Sequence, residues 1–140
     1  MNANANANPV PVEKPLPQPS ALSKAYWDAA AQGRLVLQRC TACGKVRHYP
    51  RLICDACYSD AVEWIQSSGR AKVHSWTISH HAFHKGFASE VPYTIVTVDL
   101  EEGVRALGRW PTETPLKIGQ PVQARFVTGN GRADLVFDPA

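Results

Sequence analysis

The sequence predicts a mainly β protein in which one N-terminal helix and a small cysteine-pinned ribbon precede a five-stranded barrel. Three observations predict it. All four cysteines fall in two C-x-x-C pairs, Cys40/Cys43 and Cys54/Cys57, ten residues apart. From Gly69 onward, short β-branched runs alternate with glycine and proline turns. Eleven prolines, most of them near the start or in later turns, argue against a long helical protein.

Residues 1–19 read as a disordered, loosely attached tail. An Asn-Ala repeat leads into Pro9, Pro11, Pro15, Pro17 and Pro19, with little to bury and a polyproline-like preference. The tail either has no private role or is an arm that lies on a partner subunit. Residues 20–33 are the helix: Ser20 caps it, Leu22, Tyr26, Trp27 and Ala30 share a face, and Gly33 ends it. Residues 34–68 are the ribbon. Its strand at 34–39 enters the first cysteine pair, a loop at 46–53 is broken by Pro50, and a strand at 61–66 is anchored by Trp64.

Residues 69–140 are the barrel. In its first strand, 70–79, alternation sets Val73, Ser75 and Thr77 against His74, Trp76 and Ile78. The second strand, 93–100, is rich in β-branched residues and turns at Glu101-Glu102-Gly103 into the third, 104–110. After the connector 111–115 and the turn 118–121 comes 122–128. Gly129-Asn130-Gly131 then signals a hairpin to the closing run 135–137. Five short strands suggest the Greek-key barrel called the OB-fold.

The cysteine spacing suits a tetrahedral thiolate cage around one ion. Two residues between the sulfurs let each pair fold back as a knuckle. Gly44 follows the first pair where positive φ is needed, and Tyr58 stands at the equivalent place of the second, a less suitable residue. Residues 1–8 show no basic region and no apolar run, so no signal peptide is read and a reducing cytosol is expected. Two disulfides and a redox C-x-x-C are therefore disfavoured. Zinc is the preferred ion, and iron in a rubredoxin-like site suits the same four sulfurs.

Beyond fold, the chain resembles acyl-CoA-associated OB-fold proteins with an N-terminal rubredoxin-like zinc ribbon, domain-of-unknown-function family 35. The resemblance is carried by Tyr26-Trp27, Gly33-Arg34-Leu35, Gln38-Arg39-Cys40-Thr41-Ala42-Cys43-Gly44, Pro50, Cys54, Cys57, Trp64 and Ser68-Gly69-Arg70. In the barrel it rests on Pro92-Tyr93, Asp99-Leu100-Glu101-Glu102-Gly103 and Ile118-Gly119-Gln120-Pro121-Val122. Tyr58, where the family often has glycine, and Ala71 depart from the pattern. The resemblance implies an auxiliary subunit beside a thiolase-like enzyme, of the kinds found with steroid side-chain aldolases, phloroglucinol-type acetyltransferases and archaeal mevalonate-pathway assemblies. It implies that the partner carries the chemistry, while this subunit stabilises the complex and helps bind or channel acyl-CoA, as a homo- or hetero-oligomer.

The residues themselves offer no catalytic set. The cage takes every thiol, and neither a Gly-x-Ser-x-Gly elbow nor a phosphate-binding glycine loop is present. Asp99, Glu101 and Glu102 read as solvated turn carboxylates. The unusual stretch is 79–90, where His80, His81 and His84 interleave with Phe83, Lys85 and Phe87. A second metal site there lacks a spaced carboxylate. The alternatives are a loop facing acyl-CoA or the partner, through Phe83, His84, Lys85 and Phe87, and a solvated loop with incidental histidines. Arg70, Lys72 and Arg125 are basic candidates for the CoA phosphates, but Arg105 and Arg109, on one face of the third strand, are the preferred pair.

A net charge of +3 and a pI near 8.8 disfavour nucleic acid, as does the lack of a stacking series of aromatics. A single-strand-binding module and a rubredoxin-like electron carrier stay as rivals. No run approaches the roughly eighteen apolar residues of a membrane span. Trp27, Trp64, Trp76 and Trp110 exceed what so small a barrel needs, so some are candidate interface anchors.

Overall fold

Strand-forming runs pair in two separate sheets in the computed structural model, which describes residues 12–140. The first sheet is antiparallel, ordered β2-β1-β3, from β1 (Val36–Cys40), β2 (Val46–Arg47) and β3 (Val62–Gln66). The second is a closed barrel of β4 (Arg70–Ser79), β5 (Tyr93–Leu100), β6 (Arg105–Trp110), β7 (Pro121–Gly129) and β8 (Arg132–Pro139). Its order, β4-β5-β6-β8-β7, is that of an OB-fold, with only β6 and β8 parallel, at Arg109 and Val136.

The helix α1 (Lys24–Ala31) starts later than expected. Ser20 does not cap it. Instead Ser20 N–H donates to Ser23 Oγ at 3.0 Å, and Ser23 N–H donates back to Ser20 Oγ at 3.3 Å, closing a turn ahead of the helix. Its end is as expected: Gly33 has φ +76°, and the N–H groups of Gly33 and Arg34 donate to the carbonyls of Ala30 and Ala29, a Schellman closure. The stretch expected as a loop at 46–53 contributes β2. Buried Gln38 pins it, accepting from Arg47 Nε and from Arg51 N–H, both at 2.8 Å.

Val73, Val96, Val98, Ala106, Val122 and Phe137 fill the barrel. Gly108 makes room for Phe137, since a Cβ there would stand 2.7 Å from its ring. One face assignment needs correcting. Between Val73 and Ser75 the pairing of β4 with β5 shifts by a bulge. Past it, Trp76 lies opposite buried Val96, so Trp76 shares its face with Val73 rather than opposing it.

Several contacts hold ribbon to barrel. α1 packs against β1, β7 and β8, and the Tyr26 ring lies 5.8 Å from His48 of the ribbon and 6.4 Å from Phe126 of the barrel. Leu107 N–H donates to Tyr49 Oη at 3.1 Å. The connecting peptide is fixed by Glu101 and Glu102, which were expected to be solvated. Ser68 Oγ donates to Glu101 and Ser68 N–H donates to Glu102, both at 2.7 Å. Gly69, at φ +74°, passes so close to Gln123 that a Cβ would meet its side chain at 2.5 Å.

Of the expected tail, residues 1–11 lie outside the described residues, and residues 12–19 run along the barrel. Lys14 pairs with Glu90 at 2.6 Å, Arg132 donates to the Pro15 carbonyl, and the Glu13 carbonyl lies 2.8 Å from where a Cβ on Gly86 would be. Proline-rich chain is already extended, so seating it forfeits little conformational entropy.

Candidate metal centre and barrel cleft

Both cysteine pairs fold as the same knuckle. Gly44 N–H donates to the Cys40 carbonyl at 2.8 Å, and Tyr58 N–H donates to the Cys54 carbonyl at 2.9 Å. Lys45 and Ser59 then accept from Cys40 and Cys54, both at 2.9 Å. The turn needs positive φ after the second cysteine. Gly44 supplies it at +80°, and Tyr58 is held there at +61°, a region that costs a side chain about 1–2 kcal/mol.

The two knuckles bring the four Sγ atoms within 4.8 Å of one another. Cys40 and Cys57 sulfurs are 3.6 Å apart, as are those of Cys43 and Cys54. That is too long for a disulfide and close to the ~3.8 Å edge of a tetrahedron whose corners lie about 2.3 Å from one ion. The donor set fits a thiophilic divalent ion. Cys40 and Cys54 are buried, whereas Cys43 and Cys57 face solvent.

The electrostatics favour a cation. Backbone N–H groups of Cys43 and Ala42 lower the Cys40 pKa, and those of Ala56 and Cys57 bring Cys54 to about 6. Cys57 receives the Ser59 N–H, which lowers its pKa, but the Cys40 sulfur, burial and the other sulfurs push it up to about 12. The sulfurs oppose one another's ionisation, and a bound cation would relieve that opposition. Lys45 spans the two knuckles, 2.7 Å from Asp55. Among the described residues no other group of three or more metal-binding side chains comes together, so His80, His81 and His84 form no second site.

The barrel mouth opens into a cleft of about 830 Å³, lined by Trp76, Ile78, Tyr93, Trp110 and Val127, with Phe87 and Arg109 at its wall. The loop after β4 contains a single 3-10 turn, Lys85–Phe87, capped by His84, whose Nδ1 accepts from Gly86 N–H at 3.0 Å. Phe87 is packed between Lys14, 5.3 Å from its ring, and Arg132, at 5.5 Å. Phe83 is the opposite, 89% exposed, with the His81 ring edge-on to it at 4.8 Å.

Arg105 and Arg109 share the outward face of β6 but do not act together. Arg105 is paired with Asp99 at 2.7 Å and lies 3.1 Å from His74. Arg109 stacks on Tyr93 at 4.0 Å and pairs with Glu90 at 3.2 Å. Glu90 thus joins Lys14 to Arg109, a role that no sequence motif signals. Of the four tryptophans, Trp76 is exposed, Trp27 and Trp64 are half-buried, and Trp110 is buried with Nε1 donating to the Thr114 carbonyl at 2.9 Å.

Comparison with known proteins gives a consistent picture. Residues 27–63 match the family described as "ChsH2, rubredoxin-like zinc ribbon domain", and residues 64–127 match "ChsH2, C-terminal OB-fold domain". A "DUF35 domain-containing scaffold protein" of Methanocaldococcus jannaschii is 37% identical over 95 residues, 66% of this chain and 67% of that protein. A "Probable enoyl-CoA hydratase alpha subunit" of Thermomonospora curvata is 37% identical over 120 residues, 83% of this chain. The match covers only 37% of that longer relative. Among solved structures, "Ltp2-ChsH2(DUF35) aldolase" superimposes with TM-score 0.79 at 32% identity, covering 88% of this chain and 98% of that one. In the described residues no helix is long and apolar enough to cross a membrane.

Proposed function

The chain belongs to the DUF35 family, in the ChsH2 arrangement of rubredoxin-like ribbon and OB-fold, and on that premise we propose that it is an auxiliary subunit of an acyl-CoA-processing complex. A thiolase-like subunit in the cytoplasm supplies the catalytic residues. This chain docks on it and completes the wall of the acyl-CoA path. The ion in the cysteine cage is zinc, and its role is to hold the ribbon against the barrel.

The observation that carries this reading is the contrast within one loop. Phe87 is packed between two cations while Phe83, four positions earlier, projects almost bare into solvent. Large apolar side chains also stand out from the ribbon, Leu52 at 73% and Tyr58 at 76% exposure. Such side chains are what an interface core buries. The relatives named as a hydratase alpha subunit and an aldolase component support an assembly in which a binding module of this kind is needed. His84 and Lys85 stand between the two phenylalanines in sequence and Arg109 lines the cleft beside Phe87; in this reading they meet the polar part of an acyl-CoA.

Co-expression with a thiolase-fold partner tests the reading. Phe83→Asp should cut co-purification at least tenfold and lower partner turnover, with metal content unchanged. Wild-type yield of the complex from the variant overturns the docking role. A visible absorption spectrum showing ferric thiolate bands overturns zinc.

A further inference from the structure

Among the strand edges, one lacks the features that usually prevent pairing. On one side β4 is bonded to β5 along its length. On the other it meets β7 only through Arg70, Ala71 and Lys72, and the last backbone bonds there join Val73 to Gln120 and Gly119. From Ser75 to Ser79 the backbone groups turned away from β5 have no backbone partner among the described residues. Both faces of this stretch are open as well, with Trp76 at 38% and Ile78 at 51% exposure on one and exposed Ser75 and Thr77 on the other. Proteins blunt free edges with charge, proline, brevity or a covering element. The β2 edge is two residues long, β3 carries Glu63 paired with Arg39, and α1 lies against β7. Ser75–Ser79 has no charge and no proline, and no strand or helix among the described residues covers it.

The side chains of this edge are self-complementary. The run reads Ser-Trp-Thr-Ile-Ser, nearly the same in both directions. We propose that the edge is a dimerisation surface and that its occupant is a second copy of this chain, paired antiparallel about a two-fold axis through Thr77. In that register Trp76 of each copy lies opposite Ile78 of the other, Thr77 opposite Thr77, and Ser75 opposite Ser79. Aromatic against β-branched and threonine against threonine are favourable cross-strand pairs, and no like charges meet. The contact is isologous, so it closes at two copies and does not propagate. An unrelated extended segment would match the backbone groups, but only another β4 supplies both apolar pairs and the axial threonine in one register. The cleft beside Trp76 and Ile78 leaves space for the incoming strand.

Sedimentation of the full, metal-loaded chain over micromolar to near-millimolar concentration is the test. The mass should rise from 15.4 kDa towards twice that value. Thr77→Lys, which sets two ammonium groups against each other on the axis, should raise the dissociation constant at least tenfold while near-UV circular dichroism and metal content stay as in wild type. Thr77→Cys should give a covalent dimer under mild oxidation, because facing Cα atoms on an antiparallel axis lie about 4.5–5.5 Å apart, within disulfide reach. Lys72→Cys, on the same strand but away from the axis, should not. A mass of 15.4 kDa at every concentration overturns the proposal. So does a dimer indifferent to Thr77→Lys, or equal cross-linking from positions 72 and 77. Protection of the Ser75–Ser79 amides only when a different protein is bound would assign the edge to that protein instead.

Discussion

The ribbon and the barrel are neighbours built on different physics. In the barrel, side chains such as Val96, Val98 and Phe137 are wholly removed from water, and the strands close on themselves. The ribbon buries Leu35, Val36 and Leu37, but around them stand Gln38 bonded to Arg47 and a cage of four sulfurs. Hydrophobic burial suffices for the first. The second joins a few apolar side chains to four sulfurs that an ion would tie together, and its order is expected to depend on that ion. The contrast sets a part held by apolar burial beside a part expected to need its ion, the two joined through Tyr26, Tyr49 and the Ser68 clamp.

The sharpest way to break this contrast is to remove the ion. Chelation, or Cys54→Ser, should abolish order in the ribbon, since structural zinc of this type contributes on the order of 10 kcal/mol to folding. Amide spectra should lose the β1–β3 signals while those of β5, β6 and β8 persist. Simultaneous collapse of both sets would show that the barrel has no independent stability. The reverse experiment is Phe137→Ala, which should cost about 3–5 kcal/mol in urea unfolding with metal stoichiometry retained.

Protonation sharpens the comparison at the junction. Burial brings the His48 pKa down to about 4. The folded pKa is therefore below the unfolded value near 6.5, so the neutral ring's stabilisation is complete above pH 6.5 and is lost as pH falls from there towards 4. The full effect is on the order of 3 kcal/mol. The difference between wild type and His48→Gln, followed by thermal melting with metal in excess, should shrink over that interval. A constant difference would mean that the ring is not desolvated. The smallest expected effect is a gain. Tyr58→Gly relieves a positive φ at an exposed side chain and should stabilise the loaded ribbon by about 1 kcal/mol, read as slower metal release to a chelator.

Features fixed by nearest neighbours in the chain were legible. The C-x-x-C pairs foretold the cage, Gly33 the helix end, and Gly129-Asn130-Gly131 the last hairpin. Features that need a distant partner were not. The bulge at His74 depends on how β4 lies on β5, and it moved Trp76 to the opposite face from simple alternation. Arg105 and Arg109 share a face as expected, yet each is satisfied by a different carboxylate, one of them from a loop nineteen positions away. Phe83 and Phe87 look alike in sequence and differ entirely in surroundings, because only Phe87 meets Lys14 and Arg132.

By itself, then, the order of residues determined the metal-binding knuckles, the two-module plan and the strands of the barrel. Short-range geometry and side-chain period act within a few positions and need no partner. Tertiary structure alone decided which charges are spent on internal pairs, which aromatic rings are left bare, and where an extended segment of proline-rich chain comes to rest. Those outcomes depend on groups brought together across the fold, where desolvation and pairing are settled by what stands opposite and not by what stands next.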